Sequence, residues 1–273
     1  MHNIIELFQY NFFGNAALAS IFAAISCGII GTYIVSRRIV FISGGITHAS
    51  FGGIGISYFF GINPILGAAV FSLVSALGIE YFTRSVKLRE DSSIAIWWSL
   101  GMAIGIIFIY LTPGYAPNLM SYLFGSILTV STTEIYFMAA LSVLLIFVFS
   151  FMHRTILYVA FDETFAKTTG LPVKSISYFM MGLIAITIVL NIRVVGIILI
   201  MSLLTIPQAT ANLFTKSFSK MMWLSVFVAF LGSFSGLLIS FFADIPSGAT
   251  IIVVLICLFA LCKLFIYFQS LSR

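Results

Sequence analysis

Apolar stretches of about 20 residues recur along the entire chain, and that feature leaves few folds open. At 1.5 Å per residue, such a stretch crosses the roughly 30 Å hydrocarbon core of a bilayer as one helix. Of the 273 residues, 61% are hydrophobic and only 8% are charged, whereas soluble domains carry about 25% charged residues. The short alternating segments of a transmembrane barrel are absent. The chain therefore reads as an all-α polytopic membrane protein whose main partner is the lipid bilayer. Residues 1–273 form a single transmembrane domain, with no stretch long enough for a soluble one.

Nine spans are expected, at about residues 15–36, 40–60, 64–82, 94–111, 135–152, 175–191, 194–214, 221–242 and 247–267. The count falls to eight if one short hairpin is re-entrant. Residues 1–13 read as an interfacial lead-in, with no cleavable signal peptide. Residues 119–128 are apolar but too short to span, so they form a re-entrant or interfacial helix. Ser131 and Glu134 have capping-box spacing. Glu80 and Arg84 are spaced to pair. With the N-terminus outside and the C-terminus cytoplasmic, twelve of the 13 lysines and arginines fall on the cytoplasmic side and only Arg193 outside. Lysine and arginine set orientation in membrane proteins, so the net charge of +5 reports topology and not nucleic-acid binding. Cys27, Cys257 and Cys262 lack CxxC spacing and read as buried thiols.

The second span carries the most unusual side chain. His48 lies ten residues past Arg38, or about 15 Å along a helix, which is half of the hydrocarbon core. Gly44, His48, Gly52 and Gly55 share one helix face, and Gly45, Ala49 and Gly53 form a row beside it. An ionisable group at the midplane points to function, and imidazole is a metal ligand for zinc, manganese and iron. Hydrogen bonding across a tightly packed helix interface is the other reading. One histidine is an incomplete metal site; Thr47, Ser43, Ser50 and Cys27 are the candidate helpers. In the seventh span Pro207 must free a carbonyl one turn earlier, and Ser202, Thr205, Gln208 and Thr210 are candidates to satisfy it.

Residues 158–172, with the sequence YVAFDETFAKTTGLP, form a short polar insert between two spans. Glu163 and Lys167 have i, i+4 order, Gly170 stops the helix and Pro172 prevents its continuation. Such a helix with an exposed aromatic suits a groove on a soluble partner; an ordinary loop is the alternative. No HExxH, GxSxG, intramembrane aspartate pair or Walker loop is present, so neither catalysis nor ATP hydrolysis is expected of this chain.

Six segments together resemble the ABC-3 family of permeases, the membrane subunits of zinc, manganese and iron ABC importers. They are RRIVFISGGITHASFGGIGI (37–56), EDSSIAIWWSLGMAIGI (90–106), LMSYLFGSILTVS (119–131), VAFDETFAKTTGLPV (159–173), VVGIILIMSLLTIPQATANLF (194–214) and DIPSGATIIVV (244–254). The resemblance implies a type II-like importer permease in the bacterial cytoplasmic membrane, paired with a second copy of itself. ABC ATPase subunits would bind the ATP, and a metal-binding receptor would dock outside, near residues 112–119 and Asp244. Ala160, Phe161, Asp162, Glu163, Phe165 and Gly170 would belong to the ATPase-coupling segment. Gly44, Thr47, His48 and Gly52 would line the translocation path, with His48 as a transient metal ligand, and Pro207 and Gln208 would mark a kinked span. The divalent metal ion would be cargo, with no permanently bound cofactor. Members of the family often place an aspartate four residues before the histidine. Gly44 stands there in this chain.

The expected function is thus transport of a divalent transition-metal ion by an ATP-driven importer. A gradient-driven secondary transporter, or a membrane subunit that only anchors partners, are the competing readings. The first would need intramembrane carboxylates or matching broken helices in two repeats.

Overall fold

The computed structural model describes residues 11–113, 125 and 127–271. These form twelve α-helices: α1 (Asn11–Ser36), α2 (Phe41–Phe60), α3 (Pro64–Arg84), α4 (Glu90–Leu111), α5 (Thr132–Phe151), α6 (His153–Phe161), α7 (Glu163–Thr168), α8 (Val173–Val195), α9 (Ile197–Leu203), α10 (Ile206–Phe214), α11 (Phe218–Ala243) and α12 (Ser247–Leu271). Eight helical stretches are long and apolar enough to cross a membrane, with α9 and α10 counted as one. Helix α2, which carries His48, is the expected span missing from those eight. Its 20 residues still measure about 30 Å, but glycine and histidine lower its hydropathy. It tolerates that composition because α3, α4, α8 and α9 pack around it.

The helices sort by burial. Helix α1 packs against α5, α8 and α11 near the centre of the bundle. Its polar residues are satisfied within the helix: the hydroxyls of Ser20, Ser26 and Thr32 donate to the carbonyls of Ala16, Phe22 and Gly28 at 2.8–2.9 Å. Ser26 also accepts from the Asn191 amide at 3.2 Å, linking α1 to α8. Helix α12 sits at the edge and exposes Val253, Ile256, Leu261, Leu264 and Phe265. In water such a face would demand a partner; in a bilayer, lipid covers it.

One end of the bundle gathers the C-terminal ends of α1 and α3, the insert α6–α7 and the α10–α11 connection. Glu163 bonds Arg37 and Arg84 there, and Ser219 bonds His153 at 3.2 Å. The opposite end joins the start of α1 to the start of α5 and the end of α11: the Asn15 amide donates to the Val130 carbonyl at 3.3 Å, and Phe13 packs edge-on against Phe241. Arg37, Arg38, Arg84 and Lys216 thus gather at one end of the molecule.

Several expectations change. The lead-in expected at 1–13 falls outside the described residues except for residues 11–13, which begin α1. The re-entrant expectation at 119–128 also lies outside them, apart from residues 125, 127 and 128; Ile127–Thr129 is a 3-10 turn. Ser131 and Glu134 form the capping box. Of the cysteines only Cys27 is buried by protein, whereas Cys257 is exposed. The seventh span is broken, ending α9 at Leu203 and restarting as α10 at Ile206. Pro207 sits in the first turn of α10, where its missing N–H costs least. The carbonyl it frees, on Leu203, accepts from Gln208 Nε2 at 3.1 Å, and the same amide donates to the Cys27 carbonyl at 2.9 Å. Gly31 leaves the room, since a Cβ there would strike the Gln208 amide.

Candidate functional site

The glycine rows of α2 are contact surfaces between helices. A Cβ on Gly53 would collide with the Gly67 carbonyl of α3, and one on Gly55 with the Gly105 carbonyl of α4. At Gly52 it would lie 2.9 Å from the Gly101 carbonyl oxygen. Backbones this close gain dispersion contacts and Cα–H···O interactions, the usual basis of helix association in lipid. Gly52 is therefore enclosed within the protomer. Thr47 is fully buried, and its hydroxyl donates to the Ser43 carbonyl. Ser43 and Ser50 donate to the carbonyls of Val40 and Thr47 at 2.7 and 2.6 Å. Cys27 lies in α1 under Gln208. The expected helpers of His48 thus direct their protons to backbone or lie in another layer.

His48 itself is half-buried. Its imidazole stacks on the Trp98 indole of α4, with ring centroids 4.5 Å apart and planes within 4°. Stacking fixes the ring plane and leaves the two nitrogens at its edge. One turn earlier on the same face, a Cβ at Gly44 would lie 2.8 Å from Met201 Cε, 3.6 Å from Met201 Sδ and 3.6 Å from Trp98 Cζ3. The space of the absent carboxylate is thus occupied by the thioether of Met201, from α9. Trp98 and Met201 were not singled out in the sequence, although both lie within segments that carry the family resemblance. No group of three or more His, Cys, Asp or Glu placed to hold a metal occurs among the described residues. The platform offers one imidazole and one soft thioether, suited to passing contact and not to tight capture.

The insert turns two ways at once. Asp162 caps α7, its carboxylate accepting from the Thr164 and Phe165 amides at 2.9 Å. Phe161 and Phe165 are exposed, with Phe165 edge-on to Tyr158 at 5.3 Å and Phe161 edge-on to Phe218 at 6.3 Å. Ala160 is buried, and Gly170 adopts φ 78° beyond the helix end. Glu163 points inward. The expected Glu163–Lys167 pair does not form, because stronger partners are in reach. Arg84 binds Glu163 through two nitrogens, at 2.6 and 3.1 Å, and Arg37 binds it at 2.9 Å. Arg84 also holds Glu80, as expected, and donates to Ser177 Oγ at 2.6 Å. Burial opposes the charge on Arg37, yet the Tyr33 hydroxyl and nearby carboxylates outweigh it and raise its pKa above the usual guanidinium value. This node fastens α7 to the ends of α1, α3 and α8. On the receptor-side expectation, residues 114–119 lie outside the described residues, and Asp244 is exposed at the end of α11.

A family model described as the ABC 3 transport family matches residues 9–266. An uncharacterised membrane protein of Synechocystis is 42% identical over 251 residues, covering 92% of this chain and 89% of that one. The manganese transport system membrane protein MntC of Halalkalibacterium halodurans is 32% identical over 260 residues, covering 95% and 89%. Among solved structures, PsaBC from Streptococcus pneumoniae in complex with Fab superposes with a TM-score of 0.83 at 30% identity, over 94% of this chain and 93% of the matched one. With its helical bundle, midspan histidine and tethered insert all set within that match, this chain belongs to the ABC-3 transport family of membrane permeases.

Proposed function

We propose that this chain is the permease subunit of an ATP-driven importer of divalent transition-metal ions: manganese, zinc or iron. One observation carries the reading. The α6–α7 insert presents Phe161 and Phe165 outward while Glu163 is bonded inward to Arg37 and Arg84. A helix so built transmits a push from a soluble partner to the ends of three other helices. Separate ABC ATPase subunits bind and hydrolyse ATP on that side, which is cytoplasmic by the positive-inside rule. A metal receptor docks at the other end, and two copies of the chain pair in the bacterial inner membrane. The ion passes His48, which serves as a transient ligand; weak binding suits a path the ion must also leave. Thr47 and Gly52 support that path as packing residues of α2. The names of the relatives, manganese transport above all, support the metal class.

The test is metal uptake by vesicles holding this chain with its ATPase and receptor. At equal protein, His48→Ala is expected to lower uptake by about tenfold or more, since even residues that only orient metal ligands cost that much. Unchanged uptake of manganese, zinc and iron would remove the ligand role. Uptake that persists with a catalytically dead ATPase would instead establish gradient-driven transport.

A further inference from the structure

A cavity of about 640 Å³ opens between the end of α1, the end of α6 and the α10–α11 connection. Three cationic residues line it, Arg37, Arg38 and Lys216, and no carboxylate does. Arg37 is already committed to Glu163. Arg38 and Lys216 form no ion pair among the described residues; Lys216 donates only to Asn212, to its carbonyl at 3.3 Å and to its side-chain oxygen at 3.5 Å. Arg38 is held in a left-handed backbone conformation, φ 63°, which costs a non-glycine residue about 1 kcal/mol or more. Ser36 Oγ, also on the wall, is buried and has no hydrogen-bond partner. The remaining wall includes apolar Val35, Phe161 and Met221.

Two uncompensated cations, an idle hydroxyl and an apolar flank define an anion site with a greasy side. The cavity lies at the end of the bundle where the spans stop and the basic loops begin, the depth of lipid headgroups. We propose that it binds the phosphate of an anionic phospholipid: Arg38, Lys216 and Ser36 hold the phosphate oxygens, and the apolar wall takes the start of an acyl chain. Phosphate is the shared chemistry with a soluble ligand; the apolar flank selects the lipid. Because Ala160 and Phe161 form part of the wall, an occupied site braces the α6–α7 insert against α1. The site shares Phe161 with the face proposed above to meet the ATPase, so lipid retention is measured on the chain without its partners.

The experiment is native mass spectrometry of the full chain, delipidated in mild detergent and titrated with phosphatidylglycerol, phosphatidylcholine or inorganic phosphate. Phosphatidylglycerol is expected to be retained on the order of 30-fold better than phosphatidylcholine, following about fivefold per basic residue at a membrane surface. R38Q/K216Q is expected to lose that preference, R38K/K216R to keep it, and K263Q on α12 to leave it unchanged. S36F fills the cavity without removing charge and is expected to lower retention, which covers the case of a misfolded R38Q/K216Q. Equal retention of the two lipids, full retention by both R38Q/K216Q and S36F, or displacement of the lipid by millimolar inorganic phosphate would each overturn the assignment.

Discussion

Two contacts in this protein join helices by opposite means. Along α2, glycines bring backbone directly against the backbone of α3 and α4: Gly53 meets Gly67, and Gly55 meets Gly105. At the end of the bundle, α1, α3, α7 and α8 meet through the charged groups of Arg37, Arg84, Glu80 and Glu163 and the Ser177 hydroxyl. The first contact is short-ranged and intolerant, because any added carbon overlaps a carbonyl. The second is directional and can be remade, because side chains swing and exchange partners. On the proposed function, the first would supply a rigid wall beside the path and the second a joint that transmits force without fixing one geometry.

The largest expected effect comes from the rigid contact. Gly67→Val places carbons against the Gly53 carbonyl and Ser57 Oγ, and overpacking of backbone against backbone costs about 3 kcal/mol or more. Monodisperse yield and thermal melting in detergent would both fall sharply; a normal melt would show that α2 and α3 can separate freely. Next is the ionic joint. Glu163→Ala leaves Arg37 and Arg84 without their shared carboxylate, at a cost of about 2–3 kcal/mol. Glu163→Gln, which keeps shape and one acceptor, is expected to lose less. If the joint transmits force, ATP hydrolysis in the reconstituted complex continues while uptake drops; equal loss of both would mean that the joint only holds the fold.

Two smaller effects refine the contrast. Gln208→Met keeps the length of the side chain but strands the Leu203 carbonyl beside Pro207, costing about 1–2 kcal/mol in a melt. A neutral result would show that the break between α9 and α10 needs no donor. The smallest change in stability is expected for Gly44→Asp, whose Cβ meets the flexible end of Met201. On the proposed path it restores a hard oxygen ligand one turn from His48 and should raise the manganese-to-zinc uptake ratio by about threefold. An unchanged ratio would separate this position from metal selection.

Much of this was open to reading in one dimension. Span positions followed from hydropathy, and the pairing of Glu80 with Arg84 and the capping of α5 by Ser131 and Glu134 followed from local spacing. Each of these depends on residues within a few turns of one another. The glycine rows were visible, but their role was not, because the same stripe can line a path or seat a neighbouring helix. Glu163 was misassigned to Lys167, since i, i+4 spacing is the only partner a linear sequence offers. Its true partners lie 79 and 126 residues away.

By itself, the sequence determined that this chain is a helical membrane protein, where most of its helices run, and that His48 lies well inside one of them. Those are consequences of solvent and of local helical geometry, written in every 20-residue window. Only the tertiary structure decided that Trp98 and Met201 frame His48, that Gln208 satisfies the carbonyl freed by Pro207, and that Arg37 and Arg84 seize Glu163. Those contacts require helices distant in sequence to be packed side by side, and the strongest available partner in that packing overrides the nearest one along the chain.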